Sequence, residues 1–290
     1  MAKPVERPLP ALQPQVQTLR ADEVIEAPTP PLVVTDLDQA LSLLDQRAAG
    51  AWNDQLAALK FIRQLAATSP LQLTPVFGRV IEMTLIAASS LRSGLAKEAL
   101  EAVGDLIRCL PQELDAVASQ VVPILVPKSV SDKKFLAVAA AQSCKALVGP
   151  NSAAVVRELT ELARDKNAQV VLTSARLVHA SLENGFDLGA AGDDVQQSMM
   201  SAWAGVLSLA RRSESRDLAD AILTKLRTVV SGEAFEELAA NLPPREKIAV
   251  NSLVSSLEMS RSQMSSSSAG FREFLKTKRS AQLENSEHEK

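Results

Sequence analysis

Tyrosine is missing from the 290 residues, and the aromatic share is only 3%. Sheets draw on aromatic and β-branched surfaces, so this scarcity argues against a β fold, while abundant Ala, Leu and Val favours closely packed helices. There are two cysteines, Cys109 and Cys144, without CxxC spacing. That excludes a zinc ribbon or a disulfide framework; both read as small buried hydrophobes and fit a reducing, cytosolic setting. The two histidines are His179, near the end of a helical stretch, and His288, among the final residues. Neither has a partner at metal-ligand spacing. The 11 glycines form no GxxxxGK[ST] or GxGxxG loop, which argues against nucleotide binding. A basic excess is lacking too: the formal charge is −3, so nothing marks a nucleic-acid binder. Arg, Lys, Asp or Glu interrupts every apolar run before it approaches the roughly 18 residues that cross a bilayer. The opening MAKPVERPLP has no signal-peptide core. These absences lead to the expectation of a soluble, intracellular protein without membrane or nucleic-acid partners.

No cluster of Ser, His, Cys, Asp or Glu has catalytic spacing. The adjacent Asp193 and Asp194 read as helix-capping acids rather than an ion site. No catalytic residue, cofactor or metal is expected, and a helical enzyme is the least favoured class.

What is present is helical periodicity between two atypical ends. Residues 1–32 hold seven of the 15 prolines and few large apolar side chains, the composition of a disordered leader. Residues 259–290 are Ser-rich and charged; within them FREFLKTKR, residues 271–279, either forms a short basic helix or stays unfolded. Between these, over 33–258, apolar residues recur with helical spacing, at i, i+3, i+4 and i+7 in Leu37, Ala40, Leu41 and Leu44, and continuing in Leu56, Leu59, Phe61, Ile62 and Leu65. Turn-forming stretches cut the pattern: AAGAWND, ASSLRSG, PKSVSDKK, RDKNAQ, RRSESRD and NLPPREK. With Trp52, Arg92, Lys133, Asn167, Arg216 and Arg245 as markers, the spacings are 40, 41, 34, 49 and 29 residues. Gly185, Gly189 and Gly192 supply the long connection behind the 49. Periods near 40 belong to HEAT and armadillo arrays, whose hairpins cannot bury both faces alone. The predicted fold is therefore all-α, an α-solenoid of about six HEAT-like helical hairpins, with a non-repetitive helical bundle as the alternative.

The turns carry the residues of functional interest. Trp52 stands at the first, Arg92 and Ser93 at the second, Lys133 and Lys134 at the third, Lys166 and Asn167 at the fourth, Arg211, Arg212 and Arg216 at the fifth, Arg245 and Lys247 at the sixth. In a solenoid such turns align along one edge, where an aromatic and a row of cations would suit an acidic protein. Taken singly, each cation reads first as a residue of a solvated turn, and it is their recurrence at successive turns that points to binding.

AWNDQLAALKFIRQL resembles the opening of a TOG domain, and SSLRSGLAKEALEAVGDLI resembles the second repeat of TOG domains in the CLASP and crescerin group. The resemblance covers about 33–258, with specific motifs in the first two repeats and a general HEAT pattern beyond. It implies an armadillo-like paddle of six HEAT repeats that binds αβ-tubulin or the microtubule lattice through its intra-repeat turns. Carried over by matching positions, the contacts would be Trp52, Arg92, Ser93, Lys133 or Lys134, and Arg216. At the fourth turn Val170 and Val171 stand where relatives often carry Arg, leaving Lys166 and Asn167 as substitutes. The resemblance further implies a cytoplasmic, cytoskeletal location, including a cilium or flagellum axoneme, and other cytoskeletal or ciliary partners. A HEAT scaffold for proteins other than tubulin is the competing expectation.

Overall fold

The apolar periodicity resolves into twelve helices paired as hairpins in a computed structural model, which describes residues 33–46, 51–149, 152–209 and 213–259. The chain divides into two units, Met1–Leu32 and Val33–Lys290, and the helices belong to the second. They are α1 (Leu37–Asp45), α2 (Trp52–Thr68), α3 (Phe77–Ala88), α4 (Ser93–Cys109), α5 (Leu114–Ser129), α6 (Lys134–Cys144), α7 (Ala153–Glu161), α8 (Ala168–Glu183), α9 (Asp193–Leu207), α10 (Glu214–Val229), α11 (Gly232–Ala240) and α12 (244–259). Residues 271–279, the leader and most of the tail lie outside the described residues.

Odd-numbered helices form one layer: α1 packs on α3, α3 on α5, α5 on α7, α7 on α9 and α9 on α11. In the second layer α2 packs on α4, α4 on α6, and α8 on α10. The second layer is interrupted once, where α8 packs on α5 and α7 while α6 and α8 make at most marginal contact. The core runs between the layers. Leu59, Ile62, Leu100, Leu106, Leu125 and Trp203 are fully enclosed, and each such side chain contributes about 2 kcal/mol by leaving water. The solenoid of six hairpins is thus the observed architecture.

Local chemistry sets the helix starts. Asp36 caps α1 by accepting from the Gln39 amide at 2.7 Å, while Gln39 Oε1 accepts from the Thr35 amide at 2.9 Å. Ser152, Asn167, Ser213 and Ser231 cap α7, α8, α10 and α11 in the same way. Gly192 precedes α9 at φ 85°, a conformation that a Cβ would strain. Asp193 and Asp194 occupy the first turn of α9, where they complement its dipole.

Two contacts hold α4 at the centre. A Cβ on Gly104 would lie 2.5 Å from Ser143 Oγ and 3.0 Å from Ser143 Cα, so only glycine permits this approach of α4 and α6. Ser143 Oγ then donates to the Leu100 carbonyl at 2.7 Å. On the other side Arg63 of α2 reaches Glu98 at 2.6 Å, Glu101 at 2.9 Å and Asp105 at 2.6 Å, all on α4. Partial burial opposes the charge of Arg63, but its hydrogen bonds to Glu98 and Asp105 outweigh that and raise its pKa.

The expectation that no apolar stretch reaches membrane-spanning length is corrected. By length and composition alone, Pro70–Ala88 is long and apolar enough. It comprises two 3-10 turns followed by α3, carries Arg79 and Glu82, and buries Phe77, Val80, Ile81 and Leu85 in the solenoid core. Part of its apolar surface packs between neighbouring hairpins, while Leu71 and Ile86 stay exposed.

Candidate functional site

Every helix of the second layer begins at the turn that closes its own hairpin. Neighbours α2, α4 and α6 run in the same direction, so their N-termini lie at one end of the layer. Trp52 is the first residue of α2 and is 36% exposed. Arg92 precedes α4, and its guanidinium carbon lies 5.8 Å from the centroid of the Trp52 ring. The first two turns are thereby joined by a cation–π contact, which holds the indole at the surface. Ser93, Lys133 and Lys134 are all exposed at the starts of α4 and α6.

The starts of α4 and α6 put cations where a helix N-terminus disfavours them. A helix N-terminus favours acidic residues and a side-chain cap. Yet α2, α4 and α6 have no side-chain cap, and α4 and α6 begin after Arg92 and Lys133. Basic residues there cost a few tenths of a kcal/mol against the dipole. They also leave unpaired N–H groups facing solvent beside cations, an arrangement complementary to carboxylates.

Beyond the interruption between α6 and α8 the turns look more structural. Lys166 is exposed, but Asn167 accepts from the Gln169 amide at 2.9 Å and caps α8. Val170 and Val171 are buried, which explains why no cation stands at those positions. Arg216 is half-buried in the first turn of α10 and donates through Nη1 to the Leu209 carbonyl at 2.9 Å. Arg211 and Arg212 lie outside the described residues. Arg245 is exposed at the start of α12.

Two apolar residues on the same turns escape the sequence reading. Leu91, between α3 and α4, is 96% exposed, and Phe135, in the first turn of α6, is 46% exposed. They flank the cations at the second and third turns. Sequence alone offers one weak signal for them: each adjoins a basic turn residue.

Among the described residues no group of three His, Cys, Asp or Glu could hold a metal ion. His179 is half-buried near the end of α8. Cys144 is buried as expected, whereas Cys109 is only half-buried, because it closes α4 at the outer end of the second layer.

A family model described as CLASP N terminal matches residues 39–199, more than half of the chain and the span from α1 into α9. No curated protein matches. Among solved structures, the TOG domain of Zyg9 from C. elegans superposes with a TM-score of 0.53 at 16% identity, covering 76% of this chain and 81% of that one. A structure described as "TOG-tubulin binding specificity promotes microtubule dynamics and mitotic spindle formation" gives 0.50 at 14% identity, covering 74% and 81%. At these identities the likeness is one of fold. The matched span includes the turns that carry Trp52, Arg92 and Lys133, and the chain belongs to the CLASP N-terminal family, with the fold of a TOG domain.

Proposed function

We propose that the chain is a non-catalytic cytoskeletal protein that binds tubulin or microtubules through the turn edge centred on Trp52, in the cytoplasm and in a cilium or flagellum. The observation that carries this reading is the Trp52–Arg92 pair, a half-exposed indole fixed by a cation, beside uncapped basic starts of α4 and α6. Membership of the CLASP family and the TOG fold support it. The proposed contacts are Trp52, Arg92, Ser93, Lys133, Lys134, Lys166, Asn167 and Arg216. The indole supplies desolvated apolar area, while the lysines steer an acidic partner and fix its orientation.

Cosedimentation with microtubules and gel filtration with free tubulin dimers, each at low and high salt, test the reading. Binding should occur in at least one assay and weaken as salt rises, because the exposed cations are screened beyond about 10 Å at 0.1 M. Binding in only one assay identifies lattice or dimer as the partner. Failure in both at low salt would overturn the proposal.

A further inference from the structure

The last two hairpins contain a groove that opens at the fifth and sixth turns, away from Trp52. Its volume is about 540 Å³, and it lies between the end of α9, the first half of α10 and the inner face of α12. Its origin is a one-sided clamp. Arg227, near the end of α10, donates to the Val254 carbonyl at 3.2 Å and pairs with Glu258 at 2.9 Å, both on α12. These bonds fix the distal halves of α10 and α12 together. At the opposite ends Arg216 of α10 and Arg245 of α12 stand on either side of an opening.

The lining mixes apolar side chains with serines, and its rims are basic. Leu209 is 49% exposed and Ile248 68% exposed, on opposing walls. The hydroxyls in the lining bond to backbone carbonyls: Ser208 to Gly205, Ser252 to Ile248 and Ser256 to Leu253, at 2.7–2.9 Å. Those serines present satisfied, weakly polar surface. Arg216 uses one nitrogen on Leu209 and retains its other N–H groups, and Arg245 is exposed. Among the described residues, Asp220 is the one acid of the lining, against the two arginines.

We infer that this groove binds an acidic peptide segment of a partner protein, with an apolar side chain between Leu209 and Ile248 and carboxylates on Arg216 and Arg245. The charge of the rim selects the peptide's sign, since a basic segment would set like charges together at both arginines. Two exposed apolar walls supply the affinity that surface ion pairs alone do not. The groove opens at the fifth and sixth turns and shares Arg216 with the proposed tubulin contacts, so it can hold a second region of the partner that Trp52 engages, and two engaged regions raise avidity.

Fluorescence anisotropy of the full chain with a short labelled peptide of Leu spaced among Glu and Gly tests the inference. Saturable binding is expected, weakened about tenfold or more by either Arg245→Glu or Ile248→Glu, and absent for the peptide with Lys in place of Glu. Circular dichroism confirms that each variant stays folded. Absence of binding, or binding indifferent to both substitutions, would overturn the inference. Binding that emerges only after Glu284, Glu287 and Glu289 are changed to Gln would also overturn it, by showing that the chain's own C-terminal residues fill the groove. Self-association abolished by Ile248→Glu, without peptide binding, would identify a second copy as the occupant and equally reject it. The peptide is tubulin-free, so its result and the tubulin result fail independently.

Discussion

Burial pushes the Cys144 thiol up to about 12, against a hydrogen bond with Ser129 that works to lower it. The thiolate is the reactive form, so Cys144 is inert in the native fold. A maleimide applied at neutral pH should modify the half-buried Cys109 and spare Cys144, and both should react after unfolding in urea; mass spectrometry of the digested protein reads the sites. Equal native labelling of the two would contradict this packing. The apolar setting of Cys144 was readable from its helical neighbours, but the partial exposure of Cys109 depends on its place at the end of α4 and not on its neighbours in sequence. Leu91 and Phe135 show the same limit. Periodicity assigns apolar residues to a core face, and nothing local distinguishes a leucine that a turn leaves 96% exposed.

The pairing of helices into hairpins followed from punctuation at residues such as Asn167 and Arg245, because turns and caps are local chemistry. How the hairpins meet was less legible. Periodicity identifies the apolar face of α6, but which helix covers it depends on the stacking geometry, and the interruption between α6 and α8 has no local signature. Gly104 likewise reads in sequence as an unremarkable helix glycine. In the fold it is the point where α4 and α6 approach too closely for a Cβ. Gly104→Ala gains helix propensity of about 1 kcal/mol yet forces Ser143 backbone to move, and such overpacking costs about 1–3 kcal/mol. Chemical denaturation should therefore show a net loss of stability or, at the least, none of the expected gain. Full stabilisation by about 1 kcal/mol, the exposed-helix value, would mean that the two helices are not so close. The Arg63 cluster was equally invisible in sequence, since its carboxylates lie 35 to 42 residues away.

For the whole chain, the formal charge of −3 conceals an uneven arrangement. Acids concentrate on helix surfaces such as Glu98, Glu101 and Asp105, whereas Arg92, Lys133 and Lys134 gather at helix starts where they oppose the dipole. Stability alone would place Ser, Asp or Asn there, as it does on α8 and α10. Departures from local rules are expected at functional or strained positions, and the cations at the starts of α4 and α6 are departures of this kind. The central claim concerns the aromatic residue beside Arg92. The decisive measurement is the affinity of Trp52→Ala for tubulin beside the wild-type chain, with circular dichroism as the control for folding. Loss of a half-exposed indole at the centre of an interface should weaken binding about thirtyfold or more, the effect of removing an anchor of about 2 kcal/mol. Unchanged affinity in the folded variant would contradict the account.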